Sequence, residues 1–357
     1  MKRFLQSLAA AAAALIPYSA SAHEAYVLTP QQFAEGMAHP GFDAASSLAN
    51  PHNLQIFLTI AGCVLLLLII NFIFRHSPWG IAVHKWLGNQ DRFGPIIVRV
   101  AIAGSFFYSA LTWAFLGPEI SLHTFPMAGL LRILLFVISG TILLGIFTEI
   151  SAVIALIIFS ICAWQQNWYI LTYLNYFGEI VALILFGSRK YSIDRLIFGP
   201  LRRFPTFREF ESPIVRVCYG IALAYAAINI KFLHPELTVT VVNEYHLTQF
   251  HWLFPSDPLL VTFGAALSEL VIGIFIILGF EVRLTVLISL FYITMSLLYF
   301  REVVWPHFLL YGISLNLIFN KEKFTIDNFV DRETIEFFRN SKTGQLVHPK
   351  HTGKLVS

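Results

Sequence analysis

From Leu54 to Phe74 the chain runs 21 residues without one charged side chain. At about 1.5 Å of rise per residue, a helix of that length covers the ~30 Å hydrocarbon core of a bilayer, so this stretch reads as a transmembrane helix. Eight further apolar stretches follow, at roughly 96–116, 128–147, 149–167, 169–187, 213–233, 259–280, 282–300 and 303–319. The expectation is an all-α membrane protein with nine transmembrane helices. Composition agrees: 57% of residues are apolar, 13% are charged and 34 are phenylalanine, which excludes a soluble surface. A net charge of +3 gives no argument for nucleic acid. The partner composition demands is the lipid bilayer.

Residues 1–22 begin with Lys2-Arg3, continue through an Ala/Leu-rich run and end Ala20-Ser21-Ala22, the pattern of a cleaved secretory signal peptide. Cleavage would leave His23 at the N-terminus. Residues 23–53 lack lysine and arginine and carry turn formers around a short helix near Pro30–Phe33, so they read as an extracytoplasmic segment before the first span, 54–74. Basic residues gather in 75–95, in 188–212 and beyond 320, whereas the alternate loops and helix ends offer Lys231 and Arg301. Lysine and arginine in short loops favour the cytoplasm. That orients the chain in a bacterial inner membrane with a periplasmic mature N-terminus and a cytoplasmic C-terminus.

The chain repeats itself. Ile97-Val98-Arg99-Val100 recurs as Ile214-Val215-Arg216-Val217, Leu144-Gly145-Ile146 as Leu278-Gly279-Phe280, and Tyr191-Ser192-Ile193-Asp194 as Phe324-Thr325-Ile326-Asp327. Two four-helix units, 95–197 and 213–330, are joined by a basic linker, 198–212, and followed by a polar tail, 331–357. Each holds an even number of crossings, so the two are parallel, related by an axis along the membrane normal. Ser192 and Thr325 read as turn or capping residues where a helix leaves the membrane, with Asp194 and Asp327 facing neighbouring basic side chains.

An arginine-bearing first helix, the run Ser268-Glu269-Leu270-Val271-Ile272-Gly273, the turn Leu278-Gly279-Phe280-Glu281-Val282-Arg283 and the closing Lys190-Tyr191-Ser192-Ile193-Asp194 resemble the DoxX-like family of bacterial membrane proteins, in two tandem copies. Lys231 sits where a family lysine commonly ends the first helix. The first copy departs from this pattern, with Leu135 in place of Glu269 and Ala114 in place of Lys231. The resemblance implies a helical bundle and an association with quinone-linked membrane oxidoreductases, with a membrane or soluble redox partner. It fixes no reaction.

Ionisable side chains inside a bilayer are costly and therefore functional candidates. Glu179 and Glu269 fall about eleven residues from an end of their spans, near the midplane, where either carboxyl could hydrogen-bond a quinone carbonyl or relay a proton. A protonated carboxyl bonded to a neighbouring helix for packing is the plainer alternative. Lys231 joins them as a cavity polar group or proton relay, while Arg99 and Arg216 read as anchors snorkelling to lipid phosphate. On the periplasmic side His23, with its free amine, and the pair His246-x4-His251 form a candidate copper site. None of Cys63, Cys162 and Cys218 has metal-ligand or CxxC spacing, and no phosphate loop, HExxH or haem-attachment motif occurs. A membrane component of a quinone-linked redox system is the leading reading. A transporter of a small solute or metal ion and a non-catalytic scaffold for a partner are the alternatives.

Overall fold

The computed structural model describes residues 27–38, 41, 48–187, 191–198, 209–250, 254–320 and 323–329. The expected signal peptide, most of the basic linker and the polar tail therefore lie outside the described residues. A short helix α1 (Pro30–Ala38) precedes the long apolar helix α2 (Pro51–His76) and α3 (Pro78–Gly88). The first unit comprises α4 (Gly94–Thr112), a hairpin of β1 (Ala114–Phe115) and β2 (Gly117–Ser121), α5 (Ala128–Leu144), α6 (Thr148–Gln166), α7 (Leu174–Phe186) and the short α8 (Ile193–Phe198). The second comprises α9 (Glu211–Ala226), which continues as a π-helical turn over Ala227–Phe232, α10 (Pro235–Glu244), α11 (Pro258–Leu278), α12 (Val282–Tyr299) and α13 (Phe308–Phe319).

Proline and a small polar cap begin several of these helices. Asn50, Ser77 and Asp257 each accept a bond from a first-turn N–H, with Pro51, Pro78 and Pro258 following. Six helical stretches among the described residues are long and apolar enough to cross a bilayer, against nine expected from the sequence pattern. The difference lies in three places. Ala128–Leu144 and Trp305–Phe319 are apolar but shorter, and Thr148–Phe186 is two helices folded back on each other. Asn167 makes that reversal at φ 51° and ψ −134°, followed by a 3-10 turn over Asn167–Tyr173. The span expected to reach residue 116 ends at Thr112 instead. Trp113 and Leu116 adopt positive φ, and the chain turns into the hairpin, the one strand pairing among the described residues.

The two units are interlocked. Each first helix packs on its own unit's next long helix and on the last helix of the other unit: α4 on α5 and α13, α9 on α11 and α7. The cross-unit contacts are alike. A Cβ on Gly178 of α7 would lie 2.6 Å from Cys218 Cβ and 3.4 Å from Val215 Cα; on Gly312 of α13 it would lie 2.5 Å from Ala101 Cβ and 3.4 Å from Val98 Cα. One continuous buried apolar cluster runs through both units, from Val98 to Ile318.

The closing motifs also build the same latch twice. Asp194 Oδ1 accepts from Phe147 N at 3.0 Å, and Asp327 Oδ1 from Glu281 N at 3.0 Å. Arg99 Nη2 donates to Tyr191 O at 2.7 Å, and Arg216 Nη2 to Phe324 O at 2.9 Å. Ser192 Oγ and Thr325 Oγ1 each accept an N–H three residues on, which bears out their capping role. The two arginines are 5% and 2% exposed, so the expected snorkelling to lipid phosphate is corrected. The backbone carbonyls of Tyr191 and Phe324, in the closing motifs, give the guanidinium a better partner than the bilayer surface does. Asp194, expected to face a basic side chain, caps the first N–H groups of α6. Its counterpart Asp327 caps α12 and also meets Arg75 Nη1 at 3.2 Å.

Helix α2 is tied to the second unit near both ends. Asn53 Nδ2 donates to Asp257 Oδ2 at 2.7 Å, while Asn71 Nδ2 and Arg75 Nη1 reach the Glu281 carboxylate at 2.6 and 3.2 Å. Between these clips every residue from Leu58 to Leu67 is exposed. On the face opposite the latches, α1 lies over α10, burying Leu28 and Leu237 together with Ile230 and Val241.

Candidate functional site

A partly buried ion pair and a buried hydroxyl cluster lie near one another in the second unit. Lys231 Nζ donates to Glu269 Oε2 at 2.7 Å, with the side chains 12% and 19% exposed. Two local features make the pair. Gly220 and Gly273 bring the backbones of α9 and α11 together, since a Cβ on Gly220 would stand 2.7 Å from Gly273 O and one on Gly273 would stand 2.8 Å from Ala224 N. Above that contact α9 widens into its π turn, a departure from regular helix that is frequent at functional sites and that re-aims the residues it carries. Lys231 lies on that turn and its long stem reaches down to the carboxylate in the middle of α11.

One turn deeper, Tyr219 is fully enclosed. Its hydroxyl lies 2.9 Å from Ser289 Oγ of α12 and 3.2 Å from Ser314 Oγ of α13, and it is within electrostatic reach of Glu269. Nearer the far face Tyr311 and Thr294 share a 2.7 Å bond. Lysine, carboxylate, phenol and two serine hydroxyls thus converge between α9, α11, α12 and α13. The residues that the sequence repeat aligns with Lys231, Glu269, Tyr219 and Ser289 are Ala114, Leu135, Ile102 and Ala155, all buried. The first unit lacks this pair and this hydroxyl cluster, and buries Glu179, Asn175, Ser105, Ser109 and Ser139 elsewhere in its own core.

Glu179 does not join this group. It lies fully enclosed on α7, beside the Gly178 contact with α9. Val215 and Cys218 meet α7 from one side of α9, and Gly220 and Ala224 meet α11 from the other, so α9 stands between Glu179 and Glu269. Of the candidate metal ligands, His246 is exposed in a left-handed turn after α10, whereas His23 and His251 lie outside the described residues. No group of three His, Cys, Asp or Glu side chains is placed to hold a metal among the described residues.

Sequence reasoning missed Tyr219, Ser289 and Ser314. Serines at one helical face of α12 and α13 were the available signal, because a hydroxyl inside a bilayer seeks a partner. It also missed two carboxylates on the far face. Glu119 of β2 accepts from the hydroxyls of Tyr169 and Tyr173. Glu302 accepts from Ser296 Oγ at 2.5 Å and faces His307 Nε2 at 3.2 Å.

These features define a polytopic helical membrane protein with buried polar groups in both four-helix units and the Lys231–Glu269 pair in the second. Residues 213–305, which run from α9 through α12 and so contain Lys231 and Glu269, match the DoxX family model. No curated protein and no solved structure matches the chain.

Proposed function

We propose that this chain is the integral membrane component of a quinone-linked redox system, with the ligand site in the second unit. The observation that carries the reading is the Lys231–Glu269 pair, a cation and a carboxylate 2.7 Å apart in the middle of the DoxX domain where the other unit has buried apolar side chains. A quinone headgroup asks for a donor to its carbonyl oxygen and a nearby proton acceptor, and these residues supply both. When bound, the quinone supplies two-electron, two-proton redox chemistry. Lys231 would donate to the carbonyl oxygen, with Glu269 holding the lysine's position and able to take up or return a proton at Oε2. Tyr219, fixed by Ser289 and Ser314, keeps the deep end of the site polar and rigid. Partial burial of the pair between α9 and α11 strengthens each of these interactions.

We further read the two units as copies of one ancestral unit, 95–197 and 213–330, a reading supported by the matching latches and the matching Gly178 and Gly312 contacts. With α2 this makes nine crossings. The latch face, with the basic linker and tail, faces the cytoplasm of a bacterial cell, and α1, α10 and the hairpin face the periplasm. The test is retention of quinone by gently extracted protein, with Glu269→Gln weakening it. Retention unchanged by that substitution counts against the site.

A further inference from the structure

We propose that α3 is a membrane-surface helix lying in the plane of the bilayer, its Trp79–Val83–Trp86 stripe seated among the lipids at the latch face. Its place in the chain fixes its level. Only Ser77 separates it from the end of α2, and residues 89–93 separate it from the start of α4, both apolar helices long enough to cross a membrane. Its two faces differ. One belongs to the protein: Gly80 is buried so tightly that a Cβ would overlap Phe74 O, and Leu87 packs on the main core. On the same side His84 receives Arg283 Nη1 at its ring Nδ1 and its backbone oxygen, at 2.5 and 3.2 Å.

Among the described residues no protein lies against the other face. Trp79 is 80% exposed, Trp86 62% and Val83 41%, and at spacing i, i+4, i+7 they point the same way. Tryptophan at a membrane boundary favours the headgroup level, where its ring is half solvated. Exposed Lys85 on the flank, with Arg92 beyond the helix end, supplies positive charge for lipid phosphates. The occupant is therefore the lipid leaflet rather than a second protein. A protein partner would leave unexplained why the stripe sits at the level where both flanking helices enter the bilayer.

The experiment places single spin labels at Trp79→Cys, Val83→Cys, Trp86→Cys and Lys85→Cys, in a full-length background with Cys63, Cys162 and Cys218 replaced by alanine. Protein is reconstituted in nanodiscs of phosphatidylethanolamine and phosphatidylglycerol. Labels at 79, 83 and 86 are expected to collide with oxygen more than with a water-soluble nickel chelate, and the label at 85 to show the reverse. Nickel preference at all four positions, or labels at 79, 83 and 86 immobilised and reached by neither reagent, would overturn the proposal, the second result pointing to another copy of the chain. Because cysteines could disturb folding, a Trp79→Phe, Trp86→Phe double variant gives a second readout. Shallow brominated lipid should quench the parent protein's tryptophan emission more than the variant's, and equal quenching contradicts the proposal.

Discussion

Gly279→Ala tests the latch from a single methyl group. Gly279 ends α11 at φ 70°, a left-handed conformation that costs a residue with a Cβ about 1–2 kcal/mol. The added carbon would also overlap Arg216 Nη1 and lie 2.6 Å from Thr325 Cβ, so the guanidinium must shift away from Phe324 O. A hydrogen bond to a charged group is worth about 1.5–3 kcal/mol. The sum is about 2.5–5 kcal/mol, or a melting temperature lower by roughly 5–15 °C if each kcal/mol moves it about 2–3 °C. The assay is thermal unfolding in detergent followed by loss of the monodisperse peak, with Gly140→Ala as control. Gly140 lies in the middle of α5 with nothing within 4 Å of its added carbon, so alanine there should be neutral or stabilising by up to about 1 kcal/mol. If Gly279→Ala melts with Gly140→Ala, the arginine latch does not bear on stability and the reasoning fails.

Other consequences are open to simpler tests. Gly145→Ala, also at positive φ (69°), brings a Cβ into Ser192 and 3.1 Å from Arg99 Nη1, and should destabilise by an amount similar to Gly279→Ala; differential scanning of the two single variants checks the equivalence. Asp194→Ala removes the side chain that caps α6 and should cost about 0.5–2 kcal/mol in the same assay. Arg75→Ala removes the contact that ties α2 to both Glu281 and Asp327, and should raise the rate of proteolysis near residue 77 several-fold in nanodiscs. A charge exchange, Lys231→Glu with Glu269→Lys, should recover stability that either single change loses, because each alone leaves like charges facing in a partly buried place; a double-mutant cycle measures the coupling.

Much of the fold was legible because bilayers impose long apolar runs and because the latch residues sit in a repeated sequence. Tyr191–Asp194 and Phe324–Asp327 mark real structural equivalents for that reason. What the motif does was less legible: arginine near a helix end suggests lipid phosphate, yet each guanidinium donates to the first carbonyl of a closing motif, Tyr191 O or Phe324 O. The hairpin at Ala114–Ser121 escaped notice because Phe115 and Leu116 are as apolar as a helix end, and only their buried packing and the positive φ of Trp113 and Leu116 separate the two outcomes. Glu269 and Lys231 were both marked as candidates from charge and depth. A closed bundle already places Glu269 one or two turns deeper than Lys231; what regular helix gives no warning of is the π turn that carries Lys231. Depth alone also grouped Glu179 with Glu269, although the intervening α9 separates them.

Native mass spectrometry of protein extracted gently from its own membrane tests the proposed site most directly, by comparing the parent chain with Glu269→Gln and Lys231→Met. A quinone held between Lys231 and Glu269 predicts an adduct of quinone mass on the parent, reduced by about tenfold or more in each variant, as expected for loss of roughly 1.4 kcal/mol of binding. A parent chain that carries no quinone, or variants that retain as much as the parent, would contradict the assignment.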